Sequence, residues 1–373
     1  MMPIRYRAFP AAPVLLLGCA LFLACSRVDV ARERDGVSST GQILPVIDSV
    51  LLQESDSAYL GRPVALAVGP EGDYYVADNI ANRVLRFGAD GGLRLIYGRS
   101  GQGPGELAST GPIGFLDDSL VLISDFSMFQ LERYDRRSGE SRGHWSYQGP
   151  AASIVTLQSG VWLGAASQSE KTGLVRISLK TDSARNLLPL PQAHLDDPRI
   201  AQMHAAVRVT GVGDSVIVGY SGFDTLLVTL RGEQVVDRLP VPRLHRIGTP
   251  VDLSTKLQHV QTQAEALRTA SVLWNLLRHP SGLLLATNVD VSMDSRNPEV
   301  MTFRVYTTIV DPVRRVACSD VTLDFADGVA RPQLAMDGDT PVTLVQRVVG
   351  DQAVTVIRRH ALVLEACEWV PID

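Results

Sequence analysis

The stretch from Gly61 to Leu107 constrains this 373-residue chain more than any other part of it. It reads GRPVALAVGPEGDYYVADNIANRVLRFGADGGLRLIYGRSGQGPGEL. Four short runs without helical period, Val64 to Val68, Tyr74 to Ala77, Arg83 to Phe87 and Leu93 to Tyr97, alternate with turn signals such as Glu71-Gly72-Asp73 and Asp90-Gly91-Gly92. Strands this short joined by turns this tight predict an antiparallel meander. One such sheet cannot cover both of its faces, but copies stacked about an axis can. A weaker copy follows from Gly111 to Asp135, in which Ser124-Asp125 falls where Ala77-Asp78 does.

Later units keep only the rhythm. One has runs at 154–157, 161–165, 174–179 and 184–190, the next at 205–209, 215–220, 226–230 and 234–239. A fifth has runs at 272–277, 282–288, 301–310 and 315–323, and a sixth at 333–336, 341–348, 353–358 and 361–370. The expected fold is therefore all-β, a six-bladed β-propeller of four-stranded antiparallel blades over residues 44–373. An open ring would expose sheet edges, so the alternating run Ile43 to Leu52 is expected to add a strand to the last blade. One segment breaks the β rhythm: Leu253, Leu257, Val260, Ala264 and Leu267 recur at helical spacing. It predicts one inserted helix between blades four and five, capped by Asp252 or Ser254 and serving as a plug over one face or the wall of a site.

The first unit resembles an NHL repeat, a motif of six-bladed propellers of the broader TolB-like class. The resemblance rests on Pro63 to Val68, on Tyr75 to Asp78 (Y-V-A-D), on Asn82-Arg83-Val84, and on the glycine-rich tail Gly98 to Leu107. Asp78, Asn82, Arg83 and Asp125 are thus the repeat signature. The second unit has Phe129 and Gln130 in place of Asn82 and Arg83, so its signature has decayed. Asp78 and Asn82 fit two roles: side chains that bond their own turn backbone, or, for Asp78, an acid lining a channel.

The first residues are read as an address rather than as fold. Met1 to Arg7 is basic, Ala8 to Ala24 is apolar but short and broken by proline, and the run ends in Leu23-Ala24-Cys25-Ser26. This resembles a bacterial lipoprotein signal over residues 1–24, which implies lipidation at Cys25, with Cys19 as a second candidate box. Ser26, where the resembling class carries aspartate for inner-membrane retention, implies the outer membrane of the cell envelope. Residues 25–43 are polar without apolar period and predict a flexible tether. Beyond the two signal cysteines only Cys318 and Cys367 remain. An exported compartment allows a disulfide. Their placing in late strands of consecutive blades argues for separation, so a bridge and two buried thiols both stay open.

Chemistry is sparse. Net charge is -5, which excludes a global basic footprint for nucleic acid, and aromatics are only 6%, few for a base-stacking platform. There is no H-E-x-x-H, no C-x-x-C and no G-x-S-x-G. The glycines of Gly98 to Leu107 lack phosphate-loop spacing, and Pro104 removes an amide donor. No two of the seven histidines share a close ligand spacing, and the acidic pairs Asp196-Asp197 and Asp324 with Asp327 are paired in sequence only. Catalytic residues therefore remain unknown and no cofactor is expected, although a propeller can assemble a divalent metal in its central channel from several blades. The leading expectation is a lipid-anchored scaffold that binds a protein or small-molecule ligand on one propeller face, as a monomer. The alternative implied by the resemblance is a metal-dependent hydrolase or lyase of the lactonase-like propeller type. A structural subunit of an envelope assembly is a third.

Overall fold

The computed structural model describes residues 43–372, apart from 56, 168, 197–205, 222–225, 251–252, 258–259, 261–267, 294–300, 324–332 and 350–351. Cys25, the signal, most of the tether, Asp252 and the pairs Asp196-Asp197 and Asp324 with Asp327, except Asp196, lie outside these residues.

A short opening strand, β1 (Val46–Leu51), precedes the repeats. Blade one is β2 (Pro63–Val68), β3 (Tyr74–Asp78), β4 (Arg83–Phe87) and β5 (Leu93–Tyr97). Blade two is β6 (Thr110–Leu116), β7 (Leu120–Asp125), β8 (Gln130–Asp135) and β9 (Ser141–Ser146). Blade three is β10 (Ala151–Leu157), β11 (Gly160–Ser167), β12 (Thr172–Ser178) and β13 (Ser183–Pro189). Blade four is β14 (Val207–Val212), β15 (Ser215–Tyr220), β16 (Leu226–Arg231) and β17 (Gln234–Pro240). Blade five is β18 (Val272–Arg278), β19 (Leu284–Met293), β20 (Met301–Asp311) and β21 (Val316–Leu323). Blade six is β22 (Gln333–Asp337), β23 (Thr340–Val349) and β24 (Gln352–His360), completed by β1. The first strands touch in sequence around a closed ring, β2 to β6, β10, β14, β18, β22 and back to β2. The chain is therefore a six-bladed β-propeller.

Each interface between blades has its own apolar core. Tyr74, Val76, Leu85 and Phe87 of blade one meet Val342, Leu344 and Ile357 of blade six. On its other side, Tyr75, Ala77, Val84 and Tyr97 meet Val121, Ile123 and Tyr134 of blade two. Alternate residues of one strand thus serve opposite interfaces, and β3 is buried along its whole length. This explains why Tyr74 to Ala77 reads as a continuous apolar run rather than an alternation. Outer strands such as β13 are largely exposed.

The closure joins the chain ends. β1 pairs antiparallel with β24, Val50 opposite Ile357, as the run Ile43 to Leu52 suggested. Gly91 lets the first blade reach this seam: its φ is +80, its carbonyl accepts from Gln53 N at 2.8 Å, and a Cβ there would lie 2.1 Å from the Leu51 carbonyl oxygen.

The last expected strand, 361–370, does not form the edge of blade six. β1 already holds that edge. The tail instead turns through Leu364–Ala366 and lays β25 (Trp369–Pro371) against β21, as a fifth strand of blade five. An edge can be paired once, so the second terminus covers the neighbouring blade's edge. This brings Cys367 to Cys318, and the two form a disulfide with their Cα atoms 5.5 Å apart. The separation argued from consecutive blades does not hold, because both cysteines belong to blade five.

Between blades three and four lies a short helix, α1 (Gln192–Asp196), without a counterpart in the sequence reading. Between blades four and five, α2 (Leu253–Leu257) is the described part of the expected helix. Leu253 and Leu257 bury against Ala270 and the partly buried Val260, a small core of their own.

Candidate functional site

The six first strands enclose a central channel of about 1210 Å³. Four of them carry a β-bulge near the same end, between Pro63 and Ala65, Thr110 and Ile113, Ala151 and Ser153, and Leu273 and Asn275. A bulge sets two residues against one on the partner strand. Val64, Pro112, Ala152 and Trp274, which fall in these bulges, all line the channel. Below them the wall is apolar: Leu66, Ile113, Phe115, Ile154, Leu276 and Met336 among others.

Asp78, Asn82 and Asp125 stand at the end where the first strands begin, Asn82 in the channel lining and the two acids behind it. Asp78 is buried at the end of β3 and accepts from the backbone N–H of Arg62 at 2.8 Å and of Ile80 at 3.1 Å. Asp125 does the same in blade two, accepting from Ala108 N at 2.6 Å, Ser127 N at 2.9 Å and Met128 N at 3.1 Å. Each carboxylate fixes both its own turn and the backbone entering its blade. Asn82 and its counterpart Phe129 share a left-handed backbone, φ 47 and 51, and both line the mouth. Arg83 points away from the channel: its guanidinium donates to the carbonyls of Ser57 at 2.9 Å and Tyr59 at 3.0 Å, fastening the link from β1 to blade one. At the same mouth, Arg62 donates to Asn79 Oδ1, and Asn79 Nδ2 to Ser109 Oγ at 3.4 Å.

The glycine-rich tail holds an internal anion. Gly103 N donates to Glu106 Oε2 at 2.9 Å, and Arg99 pairs with Glu106 Oε1 at 2.9 Å. The Gly103 amide, with Arg99, holds the Glu106 carboxyl below the usual carboxylate range. Leu107, fully buried, pins the loop to the core between blades one and two.

Among the described residues the channel lining contains no carboxylate, imidazole or thiol. Its polar groups are the amides of Asn79, Asn82, Asn275 and Gln333, a few hydroxyls, and the guanidinium groups of Arg62, Arg208 and Arg278. No group of three His, Cys, Asp or Glu side chains that would hold a metal occurs among the described residues. The described histidines work elsewhere. His360 is held by Thr343 Oγ1 at 2.9 Å and the Leu44 carbonyl at 3.0 Å. His194 Nε2 meets the Ser221 carbonyl at 3.0 Å, and burial pushes the ring down to about 4. His144 faces the buried Glu132 across β8 and β9, 3.5 Å away, and burial raises the Glu132 pKa.

Three acid or base groups that matter most were not singled out in the sequence. Asp290 accepts from Ile247 N at 2.8 Å and from Ser271 Oγ. Asp320 accepts from the successive amides of Leu244, His245 and Arg246 and pairs with the Arg246 guanidinium at 2.7 Å, both side chains closed to solvent. Arg208 reaches across the channel wall from blade four: it donates to the Ala152 carbonyl of blade three and to the Leu273 carbonyl of blade five at 3.3 Å, and lies 5.7 Å from the Trp274 ring centre. No short motif carries these contacts, because the partners stand tens of residues apart.

No protein family and no curated protein matches the chain. Solved structures do match its fold. A member of the DUF4221 family from Bacteroides vulgatus superposes with a TM-score of 0.59 at 9% identity, covering 85% of this chain and 97% of that one. A protein from Bacteroides fragilis, described as exported, superposes with a TM-score of 0.56 at 11% identity, covering 86% of this chain and 95% of that one. At such identities the likeness is one of fold.

Proposed function

We propose that this chain is a lipid-anchored envelope β-propeller that binds a ligand in its central channel without transforming it. The observation that carries this reading is the donor set of the lining. A lactonase-like hydrolase needs carboxylates or imidazoles converging on a cation, and the described lining offers an apolar wall, amides and arginines instead. A concave apolar site with a few placed polar groups suits binding. The exported description of one structural neighbour agrees with a place in the envelope.

Native mass spectrometry of the chain extracted from its own envelope tests the channel. A small-molecule adduct on the wild type, lost when Ala65→Trp narrows the channel, is the expected result. An adduct that persists in the narrowed variant, or a ligand that is turned over and spared by chelator, overturns it. The anchor is tested by Cys25→Ser, which should move the protein from the membrane to the soluble fraction. Retention on membranes sinks the lipoprotein reading.

A further inference from the structure

Arg208, half-buried, stands in an electrostatic setting unlike that of the buried arginines. Arg246 has Asp320 at 2.7 Å and Arg136 has Glu71 at 2.9 Å. Arg208 has two backbone carbonyls and the face of Trp274. No described carboxylate lines the channel or pairs with it. Its carbonyl partners lie at the bulges of the two neighbouring first strands, where the ladder is interrupted. Burial draws its pKa down to about 10, so it is still a cation at neutral pH. Nearby on the same wall, two residues beyond Leu273, the Asn275 Nδ2 donor is buried without a hydrogen-bond partner. At the opposite end of the channel, Arg278 has no ion pair or side-chain hydrogen bond among the described residues.

A partly desolvated cation that faces only neutral dipoles is incompletely compensated. Like charges along a cleft also focus its field on the opposite sign. Two of the five guanidinium N–H groups of Arg208, on Nε and one terminal nitrogen, are engaged by carbonyls, which leaves three on the two terminal nitrogens for a two-oxygen acceptor. The rest of the wall is apolar, and a volume near 1210 Å³ accommodates an extended body. We propose that the channel takes up apolar molecules ending in a single carboxylate, the head group held on Arg208 beside Asn275 and the body along Leu66, Phe115, Ile154 and Leu276. This rests on the reading of the channel as a ligand site.

Isothermal titration of the full chain at pH 8 tests it, with dodecanoate and dodecyltrimethylammonium below their micelle concentrations and dodecanol below its solubility limit. Dodecanoate should bind at least about tenfold more tightly than dodecanol, the trimethylammonium probe weakest of all. Arg208→Gln should abolish that ratio while changing dodecanol affinity less than about twofold. Equal binding of dodecanoate and dodecanol overturns the carboxylate preference and leaves the channel reading standing. So does an Arg208→Gln variant that weakens both probes alike, since a purely structural arginine would act that way. Absence of binding by all three probes overturns the inference, and the envelope adduct then decides the channel separately. If Arg208→Gln does not fold, the wild-type ratio and its reduction in Arg208→Lys, which keeps the charge but loses the planar fork, carry the same decision.

Discussion

Blades one and five solve one problem in two ways. In both, the chain must enter the first strand at a fixed place on the ring. Blade one does this with Asp78, whose carboxylate takes the amide of Arg62, 16 residues away, and that of Ile80 in its own turn. Blade five receives a long connector, and two acids of its sheet grip it. Asp290 takes the amide of Ile247, 43 residues away, and Asp320 takes three successive amides 74 to 76 residues away together with the Arg246 guanidinium. The chemistry is the same, carboxylate oxygen to backbone N–H. What changes is reach and partner: both acids are buried, but Asp78 holds backbone amides alone, while Asp320 also pairs with the Arg246 guanidinium, both side chains closed to solvent. A short connector needs one local acid; a long one is held by a sealed ion pair, whose loss leaves a buried charge alone.

The largest test of this contrast is therefore Asp320→Ala. It strips the Arg246 guanidinium of its partner inside the protein, a loss on the order of 3–5 kcal/mol. Urea unfolding at pH 7 should show it, and a loss under about 1 kcal/mol would mean that the pair is not the clasp of this connector. The pH dependence follows with a definite sign. Burial opposes ionisation of Asp320, but Arg246 and the three amides outweigh it and hold the carboxyl below its ordinary value. A folded pKa below the unfolded one gives stability that is complete above the unfolded value of about 3.9 and is lost as pH falls through the folded value. The gap between wild type and Asp320→Ala should thus be widest near neutrality and narrow below about pH 4.

This difference also explains what could be read from the sequence. Blade one was legible as a whole because its strands, turns and capping acid are contiguous. Asp78 and Asn82 lie in the same turn, and Tyr75 to Asp78 with Arg83 form one recognisable pattern. The N-terminal closure was legible because Ile43 to Leu52 alternates. The destination of the last strand was not. Its sequence suits any open edge, and only the prior occupation of blade six by β1 sends Trp369–Pro371 to blade five. The disulfide was illegible for the same reason, since the pairing of Cys318 with Cys367 depends on that destination. At the channel, the position of the first strands could be foreseen, but the role of Arg208 could not. It rests on carbonyls that stand at bulges in two neighbouring blades, and a bulge leaves little trace in residue type.

The smaller test concerns the local acid. Asp78→Ala removes the acceptor for Arg62 N and Ile80 N, in a site where backbone amides have few substitutes. Unpaired amides of this kind cost about 1–3 kcal/mol, less than the enclosed pair of blade five. Asp78→Asn keeps one acceptor oxygen, so it should recover part of that loss. The spread of the damage separates the two blades better than its size. Hydrogen exchange in Asp78→Ala should rise at Arg62 and Ile80 and stop within blade one, because both amides belong to the same short segment. In Asp320→Ala it should rise over Leu244 to Ile247, far along the chain from the substitution. If Asp78→Ala instead loosened amides in blade five as well, the two carboxylates would be parts of one cooperative ring lock, and the distinction between local and long-range clasps would fail.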